Sequence, residues 1–252
     1  MVTSNMASFM TTVGDAADRF RPRDARDRCI VALDVANVSA AQALVRDLGE
    51  SVTFYKIGMQ LVFAGGLDLI APLVAAGKRV FLDMKLLDID NTVAHGVESI
   101  AGLGATLTTI HAYPRAMRAA VKARGARPLG LLGVTVLTSM DDDDLFAAGY
   151  RSDVSSLVAG RAADAADAGM DGLVCSAREA AIVRRAAGPD LILVTPGIRP
   201  AGADAGDQKR TLTPGAAIAS GSDYLVVGRP IAAADAPARA AEAVIAEIEA
   251  AL

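Results

Sequence analysis

Tryptophan is absent from this chain, and aromatic residues of every kind make up only 4% of its 252 positions. A fold poor in large rings must build its core from aliphatic side chains, and apolar residues at 52% are ample for that. Only two cysteines occur, Cys29 and Cys175, far apart in apolar runs, which argues against a disulfide framework or a cysteine metal centre. The two histidines, His95 and His111, have no matching serine or cysteine nucleophile, so a hydrolytic triad is disfavoured and both read as structural. No apolar run reaches membrane-spanning length, and no secretory core interrupts the Thr, Ser, Asp and Arg scattered through residues 1–28. A net charge of -4 with no basic patch argues against nucleic acid as a partner. These absences predict a cytoplasmic protein without a membrane partner.

Lysine is also scarce: five residues (Lys56, Lys78, Lys85, Lys122, Lys209) against twenty arginines. Where the chain needs a generic surface cation it uses Arg. Lys56 and Lys85 nonetheless stand in or at the end of apolar strands, and Lys, unlike Arg, can exchange its proton when its surroundings shift it. Lys85 belongs to the stretch Phe81-Leu-Asp83-Met-Lys85-Leu-Leu-Asp88-Ile89-Asp-Asn91-Thr92. Strand alternation predicts that Asp83 and Lys85 share a face, with Asp88 on a loop and Asn91-Thr92 opening a helix. Ionised groups at the end of an apolar strand are costly unless they pair or do chemistry. A buried ion pair pinning the strand end is the plainer reading of that spacing.

Read in order, residues 1–28 are expected to form an extension with one polar helix around Phe9–Phe20, and residues 29–252 a single domain. Eight apolar strands are predicted, at 29–35, 53–58, the stretch that begins with Val80-Phe81-Leu82 and carries Asp83 and Lys85, 107–112, 129–137, 172–176, 191–195 and 222–228, separated by helices. Helical signals include a capping box at Ser39-Ala-Ala-Gln42, a run over Leu67–Ala76, Pro114 at a first turn, an acidic start at Asp141–Asp144, and a span over Val154–Ala168. Strands apolar on both faces imply a covered parallel sheet, and eight such units in this length suit a TIM (β/α)8 barrel. A doubly wound sheet is the alternative, but no G-x-G-x-x-G follows the first strand.

Barrel chemistry collects at the C-terminal ends of strands. Asp34, Lys56, Asp83 with Lys85, Thr138, Arg199 and Arg229 all occupy such ends. Loops after the last two strands often hold phosphate, and here they carry Pro196-Gly-Ile-Arg199 and Val227-Gly228-Arg229. The polar loop from Pro200 to Leu212 is a candidate lid, with Gln208 its best neutral hydrogen-bonding group. A Mg²⁺ site from Asp34, Asp83 and Asp88 is conceivable. The neighbouring ammonium groups argue against it, so no metal is expected.

Asp83-Met-Lys85-Leu-Leu-Asp88-Ile-Asp-Asn91-Thr92 resembles the D-x-K-x-x-D-I-x-N-T signature of the orotidine 5'-monophosphate decarboxylase family. The likeness extends through Leu33-Asp34, Lys56-Ile-Gly58, Val136-Leu-Thr138-Ser-Met140, Val174-Cys-Ser176, Thr195-Pro-Gly-Ile-Arg199 and Val227-Gly-Arg229-Pro, over residues 29–240. The resemblance implies a homodimeric barrel that converts orotidine 5'-monophosphate to UMP and CO2 without metal or organic cofactor. It implies active sites shared between protomers, with Asp88, Ile89 and Thr92 reaching the other protomer's substrate. Lys56, Asp83, Lys85 and the other protomer's Asp88 would form an alternating charge array, and Asp34 and Lys56 would hold the ribose. Thr138 would contact the pyrimidine, with Ser139 the second choice, and Arg199, Gln208, Gly228 and Arg229 the phosphate. Two other functions compete. One is a Mg²⁺-dependent sugar-phosphate decarboxylase or aldolase of the same superfamily, whose members carry an acidic ligand where this chain has Lys56. The other is a non-catalytic sensor of phosphate ligands.

Overall fold

Strands that are apolar on both faces are stable only when both faces are covered, and this chain achieves that by closing its sheet. The structure, a computed structural model, describes residues 19–200 and 211–252. Its strands are β1 (Cys29–Ala32), β2 (Phe54–Gly58), β3 (Arg79–Leu86), β4 (Leu107–His111), β5 (Gly130–Val134), β6 (Gly172–Val174), β7 (Ile192–Thr195) and β8 (Tyr224–Val227). All neighbours pair in parallel and in sequence order, and β8 returns to β1, giving the (β/α)8 barrel that the spacing predicts.

Alternation sorts the side chains into two cores. Ile30, Phe54, Phe81, Leu107, Leu132 and Tyr224 fill the lumen, while Val31, Tyr55, Leu82, Ile110, Leu131 and Leu225 meet the surrounding helices. Lys56 and Asp83 fall on the lumen side of that alternation, two residues beyond Phe54 and Phe81. The bulk of Leu107 and Ile192 is accommodated by glycine at facing positions. A Cβ on Gly130 would lie 3.3 Å from the ring of Phe20, and one on Gly172 2.9 Å from Leu132.

The lower end of the lumen is closed by the segment that precedes β1. Phe20 is buried among the lumen residues and its carbonyl accepts the Tyr224 hydroxyl. Arg79 stacks 4.4 Å over the Phe54 ring and bonds Asp27 at 2.7 Å, so a paired cation covers the apolar floor. The sequence-predicted helix around Phe9–Phe20 lies almost wholly outside the described residues; Phe20 itself is in a turn.

Several boundaries differ from those predicted. The helix Val38–Leu48 begins one residue before the Ser39 box, because Asn37 caps it by accepting the Ala40 N–H at 2.9 Å. The run over Leu67–Ala76 divides into a 3-10 turn, Gly66–Leu69, and a helix, Ile70–Ala75. β5 ends at Val134, three residues before Leu137. Short helices Met59–Phe63, Pro214–Ala219 and Arg229–Ala232 had no periodic signal long enough to read. The acidic run does start a helix, Asp142–Ala147, through a reciprocal capping box between Asp141 and Asp144.

Candidate active site

Three adjacent strands deliver an alternating row of charges to the barrel mouth. Lys56 on β2 donates to Asp34 Oδ1, just beyond β1, at 2.9 Å. Its ammonium is also 3.8 Å from Asp83 Oδ2 on β3, and that same oxygen accepts Lys85 Nζ at 2.8 Å. The order is therefore Asp34, Lys56, Asp83, Lys85. Lys56 and Asp83 are nearly buried, whereas the side chain of Asp34 is half exposed. Burial alone would raise the Asp83 carboxyl, but the charges of Lys85 and Lys56, with hydrogen bonds from Lys85 and Thr109, outweigh it and hold the group below its ordinary value.

Asp83 and Lys85 do share a face, although a regular strand is not the reason. The β3–β4 register runs Leu82 to Thr108 and then Leu86 to Ile110, so residues 83–85 bulge opposite the single residue Thr109. Lys85 has φ 49°, in the left-handed region, which costs a non-glycine residue about 1–2 kcal/mol. Its N–H, displaced from the ladder, donates to Thr109 Oγ1 at 2.8 Å, and the Thr109 hydroxyl donates to Asp83 Oδ1 at 2.8 Å. Sequence reasoning missed Thr109. Its only signal was a polar pair, Thr108-Thr109, inside an apolar strand.

Gly58 matters for a different reason. A Cβ there would lie 2.8 Å from Lys56 Nζ and 3.1 Å from Asp34 Oδ1, so the glycine leaves room for that ion pair.

The array opens into a cleft of about 640 Å³. Asp34, Lys56, Asp83, Lys85, Thr138, Arg199, Gly228 and Arg229 all line it, and so do Ser139 and Gln60. Ala32, Phe81, Val174 and Val226 are apolar members of the same lining. Gly228 has no packing need to be glycine on the protein side, since a Cβ would make only ordinary contact with Ala32 at 3.7 Å. The segment bearing Thr138 is held from behind. Arg161 donates to the Thr135 carbonyl and to the Tyr150 hydroxyl, and stacks 5.0 Å over Tyr113. His111, at the end of β4, is held below its usual value by burial and by the charges of Arg161 and Lys85.

Other predicted residues lie apart. Asp88, Ile89 and Thr92 are exposed on the loop and helix start beyond β3. Asp88 accepts the Ile89 N–H at 2.6 Å, and among the described residues no ion pair joins it to the array of its own chain. Ile89 is 73% exposed and Leu87 50%; with Asp88 and Tyr113 they line a shallow neighbouring depression. Gln208 lies outside the described residues.

Comparison with known proteins identifies the family. The model for the "Orotidine 5'-phosphate decarboxylase / HUMPS family" matches residues 27–244. The chain is 62% identical over 223 residues to the orotidine 5'-phosphate decarboxylase of Rhodopseudomonas palustris strain BisB5, covering 88% of this chain and 95% of the relative. Against the enzyme of strain BisA53 it is 60% identical over 227 residues, 90% of this chain and 97% of the relative. Among solved structures, orotidine 5'-phosphate decarboxylase from Lactobacillus acidophilus superposes with a TM-score of 0.77 at 37% identity, over 90% of this chain and 99% of that one. On sequence and architecture alike, this chain belongs to the orotidine 5'-phosphate decarboxylase / HUMPS family.

Proposed function

We propose that the chain decarboxylates orotidine 5'-monophosphate to UMP and CO2, within pyrimidine biosynthesis. The observation that carries the reading is the Asp34–Lys56–Asp83–Lys85 row, in one cleft with Arg199 and Arg229. Breaking the bond to the carboxylate leaves its electron pair on a ring carbon, with no carbonyl placed to delocalise it. An ammonium held at that carbon stabilises the developing charge and then supplies the proton, which assigns both tasks to Lys85. Asp83 faces the departing carboxylate, while Asp34 and Lys56 hold the ribose hydroxyls and Thr138 the pyrimidine. Arg199, Gly228, Arg229 and Gln208 take the phosphate, whose distant binding energy supports the reaction at the other end of the cleft.

The second chemistry in the family, on sugar phosphates with Mg²⁺, fits the donor set poorly. The Lys56 ammonium lies between the Asp34 and Asp83 carboxylates, where a cation would otherwise gather them. The curated relatives at 60–62% identity also bear the decarboxylase name.

The active unit in this reading is a homodimer. Leu87 and Ile89 stand exposed around Asp88, and a second copy covering them would carry Asp88, Ile89 and Thr92 to its neighbour's cleft. Both cysteines are buried and neither is in a disulfide, with burial pushing the Cys29 thiol up to about 12, which suits a reducing cytoplasmic setting.

The test is direct. Purified chain treated with a chelator and mixed with orotidine 5'-monophosphate should form UMP and release CO2. Restoration of activity only on adding Mg²⁺, or no activity on this nucleotide at all, overturns the assignment. Lys85→Ala should bind the nucleotide and remain folded yet lose turnover; near-normal turnover in that variant refutes the role of the amine.

A further inference from the structure

We propose that Thr109 is a positioning residue for the reaction, setting the orientation of both Asp83 and Lys85 through one hydroxyl. This inference rests on the decarboxylase reading and concerns a residue that does not line the cleft.

The hydroxyl is fully buried on the lumen side of β4 and has one proton to give. It accepts the Lys85 N–H at 2.8 Å and donates to Asp83 Oδ1 at 2.8 Å. With Oδ1 occupied, the other carboxylate oxygen is the one presented to the two ammonium groups, at 2.8 Å from Lys85 and 3.8 Å from Lys56. The same hydroxyl satisfies the amide that the bulge removes from the ladder, at the residue whose backbone is left-handed. One side chain on a neighbouring strand thereby fixes an anion through its carboxylate and a cation through its backbone. Thr108 provides an internal contrast. Its hydroxyl points to the other side of the sheet and bonds the Leu82 carbonyl at 2.8 Å, away from the array.

Thr109→Val keeps the shape and removes both bonds. If the proposal holds, kcat should fall about tenfold to a hundredfold, the range for losing a hydrogen bond to a charged group, with a smaller change in KM. Asp83 would lose one of the groups that hold its carboxyl down, so the acid limb of the kcat/KM profile should move to higher pH. Thr109→Ser, which restores the hydroxyl, should return both kcat and the acid limb close to wild type. Thr108→Val should leave the acid limb in place. If the valine chain does not fold, Thr109→Ala, which leaves space beside the carboxylate, is read in the same way. An unmoved acid limb with unchanged kcat in a folded Thr109→Val or Thr109→Ala chain overturns the proposal. So does Thr109→Ser falling as far as valine, since packing and not the hydroxyl would then be responsible. Wild-type turnover of orotidine 5'-monophosphate is measured first: its absence defeats the decarboxylase reading, whereas wild-type turnover with an indifferent Thr109 defeats this inference alone.

Discussion

Gly58 separates catalysis from stability at a single position. Its backbone is not left-handed, so alanine adds no strain there, and the atom that its Cβ would strike is the far end of the flexible Lys56 side chain. The ammonium can move aside at little cost to the fold, but it leaves its place between Asp34 and Asp83. Gly58→Ala should therefore melt within a few degrees of wild type while kcat/KM falls about a hundredfold, the scale for a catalytic group misplaced by about 1 Å. A thermal melt paired with a turnover assay checks both halves. Residue-level legibility in the sequence followed the same logic. Lys56, Asp83 and Lys85 were readable because ionised side chains at apolar strand ends violate a simple rule. Thr109 was not, because its partners are 24 and 26 positions away and only the β3–β4 register brings them together.

At the scale of elements, two carboxylates act as latches where strands begin. Asp171, before β6, accepts the Leu131 N–H at 2.8 Å and Arg124 at 2.9 Å. Asp223, before β8, likewise accepts the Leu193 N–H at 2.8 Å and Arg184 at 2.7 Å. Each thus ties its own strand to a neighbour and to an arginine from a helix. The Arg124–Asp171 pair is buried, so Asp171→Ala would strand a guanidinium and a backbone N–H together. The expected loss is about 3–5 kcal/mol in denaturant unfolding, with the array itself untouched. The elements themselves were largely legible, because near-continuous apolar runs and helix-ending glycines such as Gly49, Gly169 and Gly188 are local signals. Their edges were less so: Asn37 competed with Ser39 as a cap, and the β3 bulge leaves no mark in composition.

The molecule as a whole presents its charge row to the mouth while Asp88 faces outward beside exposed Leu87 and Ile89. The proposed sharing of sites between two protomers makes a numerical prediction. Chains carrying Asp88→Ala and chains carrying Lys85→Ala should each be inactive alone. Mixed in equal amounts with subunit exchange, they should regain about a quarter of wild-type sites, because each hybrid dimer rebuilds one intact site of two. No recovery after confirmed exchange would mean that each protomer works by itself.

The sealed floor has a consequence of its own. Phe20, with Phe54 and Tyr224 above it and Arg79 capping the rings, makes the barrel a cup and not a tunnel. In the proposed reaction nucleotide and carbon dioxide then share one rim, since the described residues pack the other end of the lumen. Traffic through such a vessel is serial: the exit of one turnover is the entrance of the next, and whatever lingers at the brim delays both.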